Sequence, residues 1–275
     1  MILHSVITSR SNPTVKWAAS LLDKKGRDAA SSFIAEGEKL SFEAIESGLD
    51  VTHIFITERK YDVLMPRINE LSGVGKLNET EVYVLSESAF EKISTEKAPQ
   101  GIITVIKHLD FFEKLDIIYK EEFFQRAEER MIILSSVRDP GNLGSVIRSS
   151  VAFGVDRIIL SADSADIYNP KTVRSSMSSI FRVKVSIVSD LAGTINEMKS
   201  AGRRVFAAEL SEKALSLDSL QLLPTDVVVI GNEGHGISGE ISNACSNSLY
   251  IPISHKTESL NASVAAAIFM WEQNK

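Results

Sequence analysis

Cysteine occurs once in the 275 residues, at Cys245. A single thiol excludes an intrachain disulfide and a cysteine-rich zinc site, and it suits a reducing, cytoplasmic setting. Long apolar runs are absent too. Nothing approaches the ~18 consecutive apolar residues of a membrane span, and MILHSVITSRSNP lacks the apolar core of a signal peptide. No membrane association is therefore expected. No second histidine or cysteine stands at metal-ligand spacing from His235, so no metal is expected either. Excess positive charge is missing: the formal net charge is −6, which argues against wholesale polyanion binding but permits a local basic patch.

Such a patch is present. Residues 1–27 carry Arg10, Lys16, Lys24, Lys25 and Arg27 against Asp23 alone. The pattern suits either a solvated helix face or a polyanion-binding surface. Hydrophobic residues make up 44% and charged residues 24%, a globular composition whose length suits two domains.

The first part of the chain alternates helical and strand patterns. NPTVKWAASLLDKK has apolar residues at helical spacing behind Asn12-Pro13, and EGEKLSFEAIESGLD repeats the pattern and stops at Gly48. HIFIT, EVYVL and GIITVI read as strands. Together they predict an α/β domain over residues 1–107. DFFEKLDIIYKEEFFQRAEER, with Phe111, Leu115 and Ile118 in a charged background, predicts a helical linker over 108–130. From Met131 to the end, the strands MIILSS, RIILSA, VKVSIV, RVFAA, DVVVI and SLYI alternate with helical segments. Strands apolar throughout, with helical crossovers, indicate a mostly parallel sheet covered on both faces. The fold class is thus α/β, with the parallel sheet in a domain over 131–275.

Ligands of open parallel sheets bind beyond the carboxyl ends of the strands, and three such ends are unusual here. In VRDPGNLGSVIRSS, Asp139-Pro140-Gly141 turns, Asn142 is placed to cap the next helix, and Arg148 falls within that helix's first two turns. An arginine paired with a surface acid is the alternative. In GNEGHG, glycines 231, 234 and 236 permit positive φ and close approach to a ligand around Asn232 and Glu233, with His235 facing solvent. The order is not the G-x-G-x-x-G of dinucleotide folds, and no Gly-Lys-Ser/Thr follows. In SLYIPISHKTESLNASVAAAIFMWEQNK a strand ends at Pro252, and Ser259 or Asn261 begins an alanine-rich helix.

In this order, N-x-G-x-x-x-R, G-N-E-G-x-G and I-P-I…E-S-L-N-x-S-V resemble the SpoU (TrmH-type) family of RNA ribose methyltransferases in the SPOUT superfamily. FIAEGEKLSFEAIESG and APQGIITVI extend the resemblance to the family's RNA-substrate-binding domain, which is similar to certain ribosomal proteins. The resemblance implies a deep trefoil knot in the C-terminal domain and methyl transfer from S-adenosylmethionine to a ribose 2′-hydroxyl, without a metal. It implies cofactor contacts at Gly231, Asn232, Gly234, Ile251, Ser259, Leu260 and Asn261. Arg148, Asn142, Glu233, Ser259 and Asn261 become the catalytic set, with Arg148 orienting the ribose and its phosphate more readily than acting as a base. A homodimer is implied, and YNPKTVRSSMSSIFRVKV matches a basic, serine-rich stretch near the family's site. Lys171, Arg174 and Arg182 would then join the N-terminal cations as RNA contacts. The chain departs at Ser178, where relatives often carry glycine, and at Ala262, where valine is more usual.

Ribosomal RNA is the expected substrate class, with transfer RNA and resistance-type ribosomal RNA modification as alternatives. A non-catalytic RNA-binding or ribosome-assembly protein and a nicotinamide oxidoreductase are rivals that cofactor binding separates.

Overall fold

Strands such as MIIL, RIIL and VVVI have no polar face to offer water, so they are stable only in a sheet covered on both sides. A computed structural model describes residues 1–73, 77–110, 112–115, 124 and 129–275. They form two compact units, Met1–Leu109 with Asp166–Phe181, and Asp110–Ala165 with Arg182–Lys275.

The first unit holds β1 (Ile2–Leu3), β2 (Ser32–Glu36), β3 (Val51–Thr57), β4 (Glu81–Leu85) and β5 (Ile102–Lys107). Their order is β1-β4-β3-β5-β2. β4 runs parallel to β1 and β3, whereas β5 runs antiparallel to β2 and β3. The expected first helix is Pro13–Ser20, with Asn12 accepting the Thr14 N–H. It buries Val15 and Ala18 against Phe55, Leu85 and Ile103 of the sheet. The second expected helix, Glu38–Glu46, ends before Gly48 at φ +67°, the left-handed turn that glycine adopts without a Cβ penalty. β2 was hidden in the sequence because its SFIAE is short and continuous with that helix.

The stretch Asp166–Phe181 belongs to this unit by packing, although chain order places it beside the C-terminal strands. Tyr168 explains the attachment. Its ring stacks on Phe33 and His108 with centroids 4.6 and 4.2 Å away, and its hydroxyl accepts the Leu109 N–H at 2.8 Å.

The second unit is built on β6 (Phe112–Leu115), β7 (Met131–Leu134), β8 (Arg157–Ser161), β9 (Lys184–Val188), β10 (Val205–Ala208), β11 (Leu215–Ser216), β12 (Val227–Ile230) and β13 (Asn247–Tyr250). Their order is β11-β13-β10-β12-β7-β8-β9-β6, and every pairing is parallel. The chain runs from β7 outward through β8 and β9, then continues on the other side with β10 and β12. The direction of winding therefore reverses beside β7, between β7 and β12. That is where an open α/β sheet leaves a crevice at its carboxyl edge.

One expectation is corrected here. Within the helix predicted for 108–130, Phe112–Leu115 is a strand on β9. An exposed parallel edge offers a row of unpaired peptide groups, and pairing with it outweighs the local helical pattern. Phe111, Ile118 and the rest of 116–123 and 125–128 lie outside the described residues. Among the described residues no helix is long and apolar enough to cross a membrane.

Candidate functional site

Asp139, not Asn142, caps the helix after β7. The helix is Pro140–Ala152, and the Asp139 carboxylate accepts the Asn142 N–H at 2.8 Å. Proline at the first helical position needs no hydrogen-bond partner, so the cap falls on the residue before it. The Asn142 side chain is thereby released. Its Nδ2 donates to Glu233 Oε1 at 2.8 Å, and its Oδ1 accepts from Asn261 Nδ2 at 3.0 Å. Asn261 in turn caps the Ala262–Gln273 helix, its Oδ1 accepting the Ser263 N–H at 2.9 Å. A relay Glu233–Asn142–Asn261 thus joins the three loops noted in the sequence, with both asparagine amides held in fixed orientation.

Glu233 is presented by a tight loop. Asn232 and Gly236 exchange two backbone hydrogen bonds of 2.9 Å. Asn232 Oδ1 accepts from the Gly234 and His235 N–H groups, and its Nδ2 donates to the Ser136 carbonyl at 2.8 Å. The Asn232 side chain is therefore committed to shaping the loop, and the cofactor role expected of it is not expressed in that amide. The glycines also divide. A Cβ on Gly231 would sit 2.5 Å from the Gly236 carbonyl carbon, and Gly236 has φ +66°. Gly234 has neither constraint: a Cβ there would meet only Asn232 Oδ1, at 3.5 Å.

Beyond β10 and β13 opens a cavity of about 480 Å³, within the size range of small-molecule sites. Ile251, Ser259 and Leu260 line it together with Leu249, Ile253 and Phe269; Gly231, Asn232, Gly234 and Asn261 do not. Among the described residues no backbone hydrogen bond occupies the peptide groups of Ile251–Ile253 or Leu260. Apolar walls for a planar base and unpaired peptide groups for its edges fit an adenosine. Glu209 adds a carboxylate whose Oε1 accepts the hydroxyls of Ser242 and Ser248 at 2.6 and 2.7 Å. No sequence motif pointed to Glu209 or to the Asn232–Ser136 tie, because both depend on which strand ends become neighbours.

Arg148 is exposed and, among the described residues, has no hydrogen-bond or ion-pair partner. It lies in the third helical turn rather than the first two. Six residues past Asn142 it stands ~9 Å further along the axis and two thirds of a turn around it. Asn142 and Arg148 thus share one helix with no hydrogen bond between them.

The cations sort by environment. Lys16, Lys24, Lys25, Lys171 and Arg182 are exposed. Arg10 is exposed and lies 3.9 Å from Glu91, and Arg174 pairs with Glu96. Arg27 overturns its expected surface role: it is 2% exposed and donates to the carbonyls of Leu21 and Leu22 and to Asp166 at 2.7 Å. A guanidinium spent on those groups is structural. Ser178 has φ +69°, the left-handed conformation that favours glycine. Burial pushes the Cys245 thiol up to about 12, Glu209 adding to the shift and Lys199 opposing it, so it is no nucleophile. Among the described residues no group of three His, Cys, Asp or Glu side chains is placed to hold a metal.

Comparison with known proteins agrees with this geometry. Residues 129–271 match the SpoU rRNA Methylase family, and residues 12–104 match the MRM3-like substrate binding domain. The 23S rRNA (guanosine(2553)-2'-O)-methyltransferase RlmP of Bacillus subtilis is 31% identical over 96% of this chain and 97% of its own. An AdoMet-bound rRNA methyltransferase from Sinorhizobium meliloti shares the fold at a TM-score of 0.81 and 26% identity, covering 98% of this chain and 97% of that one. The SpoU methyltransferase AviRb of Streptomyces viridochromogenes, at 23% identity, shares the fold with a TM-score of 0.78 over 96% and 97% of the two chains. Carried by its C-terminal half and by near full-length similarity, the chain belongs to the SpoU rRNA methylase family.

Proposed function

We propose that the protein transfers a methyl group from S-adenosylmethionine to a ribose 2′-hydroxyl of RNA, with ribosomal RNA as substrate. The observation that carries this reading is the Glu233–Asn142–Asn261 relay, in a second unit whose strand ends also open a cavity with adenosine-like chemistry. The cofactor, when bound, supplies a methyl group already activated on a sulfonium. Ile251, Ser259 and Leu260, which line the cavity, would hold it by backbone groups and apolar contact, with Gly231 allowing the neighbouring loop to close.

What the chain's own residues must do is position the ribose and handle one proton. With the cofactor bound, its methyl would pass to the 2′-oxygen and its sulfur would leave as a neutral thioether, while the hydroxyl proton would go to the Glu233 carboxylate or, through it, to water. Glu233, fixed by Asn142, orients the hydroxyl, and Ser259 and Asn261 supply further hydrogen bonds. Arg148 binds the phosphate beside the reacting ribose. An arginine remains protonated at neutral pH, so contact and orientation suit it better than proton abstraction.

Homodimerisation gives the free Arg148 its place. The Ala262–Gln273 helix leaves Val264 and Trp271 exposed at 47% and 49%, and Arg148 is exposed on a helix that packs against it. A second copy covering this face brings Arg148 to a composite site. The knot of related enzymes and a cytoplasmic location complete the reading. Lys16, Lys24, Lys25, Lys171 and Arg182 provide salt-dependent contacts to phosphates.

The test is tritiated methyl transfer to separated ribosomal and transfer RNA pools, followed by nuclease digestion for 2′-O-methylnucleosides. Label in ribosomal RNA is the expected result. Label confined to transfer RNA would overturn the substrate, and no label in any pool or ribosomal particle from cofactor-bound protein would overturn the reaction.

A further inference from the structure

A second cavity, of about 340 Å³, lies at the carboxyl ends of β7, β8, β9 and β12. This is the crevice where the winding of the sheet reverses, and neither the relay nor the cofactor cavity uses it. Its walls are polar. Asp163 is already saturated, accepting from Ser161 on one oxygen and from Ser136 and Arg138 on the other. Asp190 spends one oxygen capping the Gly193 N–H at 2.8 Å; among the described residues its other oxygen and the Glu240 carboxylate have no partner. The decisive group is Ser135. It is 6% exposed, lines the cavity, and its hydroxyl has no hydrogen-bond partner among the described residues. Although the residue is largely covered, its hydroxyl oxygen is not sealed off, so it is open to the cavity and free to hydrogen-bond a ligand there.

We propose that this crevice holds an unstacked nucleobase next to the methylated ribose, with guanine preferred; the inference rests on the RNA reading above. Its position supports this, because the loop 231–236 supplies Glu233 to the relay and Asn232, His235 and Gly236 to the crevice wall. Charge selects the ligand. Asp163, Asp190 and Glu240 outnumber Arg138, so a phosphate is repelled, whereas an edge rich in N–H donors is attracted. Guanine offers two adjacent donors to a carboxylate. Reading a splayed-out base by its edge is the usual route to sequence specificity in RNA.

The test uses full-length protein saturated with S-adenosylhomocysteine, so that no base enters the cofactor cavity. Guanosine, adenosine, cytidine and uridine 5′-monophosphates and inorganic phosphate are titrated while backbone amide resonances are followed. Guanosine monophosphate is expected to shift the amides of 135–138 and 189–193. Ser135→Ala, which loses no internal partner, should weaken that binding about fivefold without lowering the melting temperature. Asp190→Asn, which keeps the helix cap, should remove the preference for guanine. No shift in these amides, or equal shifts with inorganic phosphate, would overturn the proposal. Shifts with guanosine monophosphate in a protein that transfers no methyl group would leave the crevice standing and remove the reaction instead.

Discussion

Asn142→Ala separates a catalytic relay from a structural one. The substitution deletes the donor to Glu233 and the acceptor from Asn261. Hydrogen bonds of this type contribute about 1 kcal/mol each, but Glu233 and Asn261 are exposed and water replaces much of both. Alanine is also the better helix former, by roughly 0.5 kcal/mol. The net cost to folding is therefore about 1 kcal/mol, or ~3 °C in the melting midpoint of a chain this long. Methyl transfer should fall far more, by about 100-fold, since a carboxylate out of place by an ångström is enough to do so. Cofactor affinity should stay within about threefold, because Asn142 does not line the cavity proposed for the cofactor. Thermal melting, calorimetric titration with S-adenosylmethionine and tritium transfer measure the three quantities on one preparation. Transfer within about twofold of the parent would remove the relay from the reaction; a midpoint lowered by about ten degrees or more, against the ~3 °C expected, would make it a structural clasp.

Other perturbations test the remaining assignments. Gly231→Ala drives a Cβ into the Gly236 carbonyl and should cost about 1–3 kcal/mol, whereas Gly234→Ala should stay within ~0.5 kcal/mol in urea unfolding; equal effects would refute the division between them. Ser178→Gly relieves φ +69° and should stabilise by about 0.5 kcal/mol, the strain relieved exceeding glycine's added entropy. Arg27→Met takes the cation from the partly buried Asp166 and the donor from the Leu21 and Leu22 carbonyls and should cost about 2–3 kcal/mol. Lys24→Ala should leave the melt unchanged and lower the salt dependence of RNA binding by about one counterion. For Cys245, burial pushes the folded thiol up to about 12, against 9.0 for an unperturbed thiol. The unfolded state alone loses a proton between those values, so stability falls as pH rises above about 9, and not below it. Cys245→Ser should flatten that slope in urea midpoints measured across the window.

Much of this architecture was legible because periodicity and burial are local. MIIL, RIIL and VVVI have no solvent face and announce a covered parallel sheet. The helix after Asn12-Pro13 announces itself by cap and spacing, as does the one that stops before Gly48. The motif order around Asn142, Glu233 and Asn261 marked three loops as one site, although their residues are separated by 91 and 119 positions. What chain order could not convey is which groups those loops leave free. The cap passed to Asp139 because proline sits behind it, and only that released Asn142 toward Glu233. Gly231 and Gly234 look alike in sequence, yet only one has a carbonyl pressed against it. Arg27 reads as a surface cation until Asp166, 139 positions away, closes over it. Phe112–Leu115 carries a helical pattern that an open strand edge overrides. The sequence by itself determined the layers and the loops that meet; tertiary structure alone decided which polar groups are spent on folding and which remain for a ligand, because hydrogen-bond satisfaction is settled only between neighbours in space.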